Sequence, residues 1–169
     1  MSIAGSTLLQ DGNYALSGWI WTPEATTSTV AKLNSEGEVI WDHIWDINFE
    51  YKQIIETPDS GIAICGTLDY GAIVKKFNSD GEEIYQWDFE FGYRSKLTGF
   101  LNDGDGGYIV AGWAWISNDS RDDFILFKVS AEGEIVWEEV FAQQRDQRCF
   151  AMTLLPDGGY MLVGSNLVD

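Results

Sequence analysis

Basic residues are in short supply. Ten Lys and Arg face 27 Asp and Glu, for a formal net charge of −17. That balance is a poor electrostatic match for a phosphate backbone or an anionic membrane surface, so neither nucleic acid nor membrane is expected as a partner. It suits solubility, or the attraction of cations and basic partners. Cysteine is also scarce: Cys65 and Cys149 each sit in an apolar run, as small buried hydrophobes do, and nothing around them resembles a disulfide framework or a zinc site. The redox compartment is left open. His43 is the only histidine, which rules out a histidine-rich metal site. No apolar run is long enough for a membrane-spanning helix, and sustained helical periodicity is missing. Met1 to Leu9 shows no basic region followed by an apolar stretch, so no signal peptide is visible, although a leader already removed from a precursor would leave no trace.

What the chain does have is aromatic and apolar mass. It is 45% hydrophobic and 14% aromatic, with eight Trp in 169 residues, enough to fill a substantial core. That mass is arranged in repeats. One segment occurs three times: Lys32-Leu33-Asn34-Ser35-Glu36-Gly37-Glu38-Val39-Ile40-Trp41, then Lys76 to Tyr85, then Lys128 to Trp137. Its pattern is Lys, apolar, Asn or Ser, any residue, acid, Gly, Glu, any residue, apolar, aromatic. A second segment occurs four times, as Leu8 to Gly18, Glu56 to Gly66, a copy ending Gly106 to Gly112, and Leu154 to Gly164. With Asn13, Gly61, Gly107 and Gly159 as equivalents, the steps are 48, 46 and 52 residues. The two segments alternate.

Each repeat parses into four short strands. In the third, Arg94 to Leu101 is a first strand, and an Asp/Gly turn at Asn102 to Gly106 leads to a second, Tyr108 to Trp115. A polar loop, Ser117 to Asp122, leads to the third, Asp123 to Val129. The turn Ala131-Glu132-Gly133 leads to the fourth, Glu134 to Phe141. Asp-Gly and Glu-Gly turns between β-branched and aromatic runs are hairpin signals, because glycine supplies the positive φ such turns need. Second and third strands such as Tyr108-Ile109-Val110-Ala111 and Phe124-Ile125-Leu126-Phe127 are continuously apolar and are expected to be covered on both faces. Fourth strands such as Ile40 to Asp46 carry more charge, as an outer edge does.

Four-stranded units recurring about every 47 residues are the pattern of radially packed blades. The strand order resembles that of WD-repeat propellers. Gly37 to Trp41 and Gly133 to Trp137 resemble the Gly-x-x-x-Trp docking motif of quinoprotein-type repeats, and Asp157-Gly158-Gly159-Tyr160 is similar to repeats of bacterial and archaeal cell-surface propellers. The third strands lack the Trp-Asp dipeptide of WD repeats, and the sialidase Asp-box and kelch patterns are missing too. The resemblance implies an all-β fold, one β-propeller domain over 1–169. Blades of four antiparallel strands would span about 1–47, 48–93 and 94–145, with a C-terminal half-blade over 146–169. It also implies an extracellular or cell-surface setting.

Closed propellers usually carry four to eight blades. Three and a half leave apolar flanks at both ends, so either copies of the chain associate to complete a ring, a dimer being favoured by the commonness of two-fold symmetry, or the chain is a fragment of a longer propeller. Three polar or aromatic features could carry chemistry. Asp103 and Asp105, in Asn102-Asp103-Gly104-Asp105-Gly106-Gly107, could ligate Ca²⁺. Counted from Asp103, however, the twelfth position is Ala114, not the Glu of an EF-hand loop, and an enlarged hairpin turn is the plainer reading. The loop Ser117 to Asp123 could contribute to a binding face or be a solvated connection. The doublets Trp19/Trp21 and Trp113/Trp115 each place two indoles on one strand face, as packing between blades or as a platform for a sugar or peptide. No Gly-x-Ser-x-Gly element and no phosphate-binding glycine loop is present, and no particular pair among the many carboxylates stands out as a glycosidase acid pair. The expectation is therefore a scaffold without catalytic activity, needing no cofactor. A lectin-like propeller, similar to tachylectin-type lectins in blade size, and an enzyme whose site needs the assembled ring are the rivals.

Overall fold

The computed structural model describes residues 2–45, 49–68, 71–116, 121–142 and 146–166. These residues form fourteen strands: β1 (Ser2–Leu8), β2 (Tyr14–Trp21), β3 (Thr26–Leu33), β4 (Val39–Trp45), β5 (Phe49–Glu56), β6 (Ile62–Leu68), β7 (Gly71–Phe77), β8 (Glu83–Phe89), β9 (Arg94–Asn102), β10 (Tyr108–Trp115), β11 (Asp123–Val129), β12 (Ile135–Phe141), β13 (Gln147–Leu154) and β14 (Tyr160–Asn166). They assemble into three four-stranded sheets, β1 to β4, β5 to β8 and β9 to β12, each in sequence order, and one two-stranded sheet, β13 with β14. Each sheet comes from one repeat. The all-β reading and the three blades plus half-blade therefore stand, with charged fourth strands on the sheet edges.

Turn chemistry makes each hairpin local. After the first strand, Gly12 donates its N–H to the Leu9 carbonyl and Leu9 donates to the Asn13 carbonyl, at 3.0 and 2.8 Å. The same pair of bonds links Thr57, Ser60 and Gly61, and again Leu155, Gly158 and Gly159. After the third strand, Asn34 and Asn78 each accept two backbone N–H groups on the side-chain oxygen, at 2.8 to 3.1 Å. Ser130 does the same with its hydroxyl. These side chains replace ladder bonds that the reversing backbone loses. The turn position equivalent to Gly12 (φ 82°) is Ser60 (φ 63°), the only non-glycine among the described residues with positive φ.

A less visible periodicity lies in the first strands. Registers skip one residue at Ala4 in β1, Lys52 in β5, Thr98 in β9 and Phe150 in β13. Each is a one-residue bulge, and bulges bend and twist the strand that carries them.

By contacts the chain divides into two compact units: residues 1–69 with 73–87, and residues 70–72 with 88–169. Inside the first, the Ala15 and Val30 face of the first sheet packs on Phe49, Tyr51 and Ile54 of β5. Phe49 and Tyr51 meet edge to face, with centroids 4.2 Å apart. Ser28 Oγ donates to the Phe49 carbonyl at 3.2 Å and accepts the Phe49 N–H at 2.9 Å. On the outer strand, Trp41, His43 and Trp45 share one face of β4 and lie around Phe77. Trp41 Nε1 donates to the Ser79 carbonyl at 3.1 Å, and His43 Nε2 is 2.5 Å from the Gly81 carbonyl, so that nitrogen carries the proton. Gly81 holds φ 91°, and a Cβ there would fall 2.7 Å from the Trp41 ring. The resemblance-derived docking tryptophan thus rests on the turn glycine of the next repeat. Inside the second unit, Ile109, Ala111 and Leu126 of the third sheet pack on Cys149 of the half-blade. Met152 sits where a Cβ on Gly99 would be, 2.8 Å away.

Burial follows this stacking. β6, β10, β7 and β11 are buried along most of their length, as their apolar runs require, whereas β2 and β14 are not. Each fully buried Phe, Ile or Leu contributes about 1.5–3 kcal/mol. An exposed ion pair contributes about 0–1 kcal/mol. Face-to-face apolar contact is therefore the main source of stability.

The two turn positions should respond oppositely to substitution. Ser60→Gly relieves αL strain of about 1–2 kcal/mol against an entropic cost of about 0.5–1, so the denaturant midpoint should rise. Gly81→Ala adds the strain and forces a methyl into the Trp41 ring, and should destabilise by about 2 kcal/mol or more. Urea denaturation of both variants checks this.

Candidate functional site

The second unit gathers guanidinium, carboxylate and indole groups at one place. Arg94 opens β9, Trp113 and Trp115 close β10, Asp122 precedes β11, and Arg148 lies near the start of β13. Antiparallel pairing sets Arg94 opposite Trp115, with Lys96 opposite Trp113. The Asp122 side chain is only 1% exposed and binds both arginines: Arg94 Nη2 at 3.0 Å and Arg148 Nε at 2.9 Å. Its backbone is held as well, the N–H by Asp146 Oδ1 at 3.2 Å and the carbonyl by the Gln147 N–H at 2.6 Å. Both guanidinium carbons lie over the Trp113 ring, at 5.4 Å for Arg94 and 5.1 Å for Arg148. Arg94 also lies 5.7 Å from the Trp115 ring, and Tyr93 packs against that ring at 5.2 Å.

Such a cluster is built from arginine for a physical reason. The planar guanidinium can bond a carboxylate through its edge while stacking its face on an indole, which an ammonium cannot do equally well. Burying the Asp122 carboxylate is tolerable because two guanidinium cations compensate it. In the first unit, contacts between the first and second sheets include the Ser28 hydroxyl on Phe49 and the Gln10 N–H on the Glu56 carboxylate at 2.9 Å. Neither bond involves a guanidinium.

The structure distributes the other expected residues as follows. Trp19 is half-buried on the face that carries Ala15 and Ser17, while Trp21, at the end of β2, is 71% exposed. The first doublet therefore gains no guanidinium cluster like that of the second. Asp103 and Asp105 face Lys128, whose ammonium lies 3.0 Å from Asp103 Oδ2 and 2.8 Å from Asp105 Oδ2. Asp103 Oδ1 also accepts the Asp105 and Gly107 N–H groups at 3.0 Å. The cation held by these two carboxylates is thus a lysine of the chain itself. Equivalent pairs join Lys32 to Asp11 and Lys76 to Asp59. Among the described residues no three His, Cys, Asp or Glu side chains are grouped to hold a metal ion. In the loop Ser117 to Asp123, residues 117–120 lie outside the described residues. Both cysteines are free and buried, and burial pushes the Cys65 thiol up to about 12, which makes it a poor nucleophile.

The sequence singled out Trp113, Trp115 and, within the loop Ser117 to Asp123, Asp122, but not Arg94 or Arg148, which lie 28 and 26 residues from Asp122. One signal was available: all four arginines, at 94, 121, 145 and 148, fall in the third repeat or the first few residues of the fourth.

Comparison with solved structures gives the fold. A protein of unknown function from Bacteroides caccae superposes with a TM-score of 0.64 at 13% identity, over 95% of this chain and 52% of that one. A catalytically inactive virginiamycin B lyase from Staphylococcus aureus, solved with quinupristin, gives 0.59 at 12% identity, over 95% and 48%. The chain has a propeller-like fold. A eukaryotic initiation factor gives 0.59 at 14% identity, over 83% of this chain and 32% of that one. The chain thus spans about half the length of the first and of the lyase, and about a third of the initiation factor. No protein-family model matches the sequence, and neither does any curated protein. At these identities the likeness concerns the fold alone.

Acid should loosen the turns of this propeller-like chain. The hydrogen bonds that Asp105 shares with Asp103 and Lys128 lower its carboxyl from 3.8 to about 2, and the bond from Lys32 lowers Asp11. A carboxyl lowered in the folded state stabilises above its unfolded value, and that contribution fades as pH falls through the folded value. The urea midpoint should therefore drop between about pH 4 and pH 2, and Lys128→Gln should flatten the drop; both are read from urea titrations at stepped pH.

Proposed function

We propose that the chain is a non-catalytic propeller scaffold that works by binding and associates with a second copy of itself to cover its end sheets. The supporting observation is the exposure of large apolar side chains on two sheet faces. On the first sheet, Ile3, Leu8, Tyr14 and Ile44 are exposed on the face opposite Ala15 and Val30. On the half-blade, Phe150, Met161 and Val163 are exposed, whereas Cys149 is buried and Met152 and Leu162 pack against the third sheet. Contiguous apolar faces on a soluble protein mark interaction surfaces. In a two-fold pair the first-sheet face of each copy can meet the half-blade face of the other, which satisfies both. His43, the single histidine, is already spent on a structural bond to Gly81, consistent with a role in binding rather than catalysis.

A second reading places the missing blades in the same polypeptide, and the half-length coverage of the matched structures favours it. Light scattering after size exclusion separates the two. Self-association predicts twice the 19.0 kDa chain mass at micromolar concentration. A well-behaved monomer overturns it.

For the ligand, the half-exposed Trp115 and exposed Tyr93 beside two arginines support carbohydrate binding, with the aromatic rings under the sugar face and the guanidiniums donating to its oxygens. Tryptophan fluorescence titrated with a panel of neutral and acidic oligosaccharides should show saturable quenching that Trp115→Ala removes. A flat response across the panel rejects the reading.

A further inference from the structure

The cluster of Arg94, Asp122 and Arg148 holds donors that the fold leaves unused. Arg94 reaches the Asp122 carboxylate through Nη2, at 3.0 and 3.3 Å, and Arg148 reaches it through Nε at 2.9 Å. Among the described residues no acceptor is bonded to Nη1 of Arg94 or to either Nη of Arg148. The two arginine side chains are 42% and 39% exposed, whereas the carboxylate they share is 1% exposed. Two guanidiniums on one carboxylate leave a positive charge uncompensated at that point. Of the neighbouring acids, Asp123 is buried and Asp146 Oδ1 is turned to the Asp122 N–H. The arrangement is also costly, because Arg94 Nε is enclosed and has no acceptor. What it secures is orientation. Both guanidiniums lie over Trp113 and are tied to the same anion, so neither is free to swing away.

Building on the carbohydrate reading of this cluster, we infer that Arg94 and Arg148 bind the carboxylate of an acidic saccharide of the uronic-acid class, while Trp115 and Tyr93 hold its ring. Arg94 lies between the two indoles, 5.4 Å from Trp113 and 5.7 Å from Trp115, and so joins the charged end of the cluster to the Tyr93–Trp115 pair. Tyr93 is exposed and Trp115 half-buried, which leaves aromatic surface for the C–H face of a sugar. A planar carboxylate matches the guanidinium fork, and hydrogen bonds involving ions are about twice as strong as those between neutral groups. A neutral sugar can accept from the same nitrogens but gains less. The uncompensated charge is a single one, which suits a carboxylate better than a dianionic phosphate. The net charge of −17 repels an acid at a distance, so recognition comes from bonds made at contact, with the remaining field screened by physiological salt.

The test titrates the whole chain by calorimetry with disaccharides of the same rings: one carrying a single uronic acid, its methyl ester, the neutral parent and a monosulfated form. The uronate should bind about tenfold more tightly than its ester, or better. Arg148→Lys keeps a cation for Asp122 but loses the outward nitrogens, so it should weaken the uronate about tenfold and the ester much less. Urea midpoints show whether the variant is folded, and the comparison of acid with ester in the unaltered chain stands without it. Equal binding of uronate and ester overturns the inference and leaves the carbohydrate reading in place. Tighter binding of the sulfated form overturns the carboxylate assignment. Absence of binding by any of these sugars removes the inference and the carbohydrate reading together. A glutamate-containing peptide that binds as tightly as the uronate, and loses its affinity in Arg148→Lys, assigns the arginines to a protein carboxylate and overturns the saccharide.

Discussion

A four-stranded sheet whose central strands are apolar on both faces is stable only when another sheet lies against each face. That requirement governs the chain. The strands of the second and third sheets that carry continuous apolar runs are the ones found buried, and the most exposed apolar side chains lie on the first sheet and the half-blade. Dispersion and apolar burial act over a whole face and have little directional preference. Orientation therefore has to come from a few specific contacts at the rim. Trp41 seated on Gly81, with its indole N–H on the Ser79 carbonyl and His43 on that of Gly81, is such a contact in the first unit. Gly81 serves twice, allowing the turn and leaving room for the ring.

The polar groups fall into two kinds. Most serve the turns: Asn34, Asn78 and Ser130 satisfy reversing backbone, and the lysine–aspartate pairs tie the two hairpins of a blade together at its surface. These contributions are small singly and recur with the repeat, so they set register more than they set stability. The Arg94–Asp122–Arg148 cluster is of the other kind. It occurs at the junction of the third sheet and the half-blade, it buries a carboxylate, and it sets two guanidiniums on that carboxylate. Groups costly to bury that do not recur with the repeat are where function is best sought in a repeat protein, since everything dictated by the repeat recurs.

Much of the architecture was legible in the chain because its determinants are local. Alternating turn motifs, positive-φ glycines and apolar runs of strand length specify hairpins without long-range information, and Tyr108–Trp115 and Asp123–Val129 were found where the pattern put them. The bulges at Ala4, Lys52, Thr98 and Phe150 were not legible, because no residue type marks them and they arise from matching twisted strands to their neighbours. Trp113 and Trp115 stood out by alternation. Their surroundings did not, because Arg94, Asp122 and Arg148 meet only when β9, β11 and β13 come side by side.

By itself, then, the sequence determined the repeat, the hairpins and the apolar faces, since each is written in residues within a few positions of one another. Tertiary structure alone decided what those faces and charges meet. It set Lys128 as the cation of Asp103 and Asp105, and bracketed Trp113 with two arginines around one buried carboxylate. The physical reason is range. Backbone conformation responds to immediate neighbours, whereas ion pairing and burial respond to whatever the folded chain brings within a few ångströms, however distant in sequence.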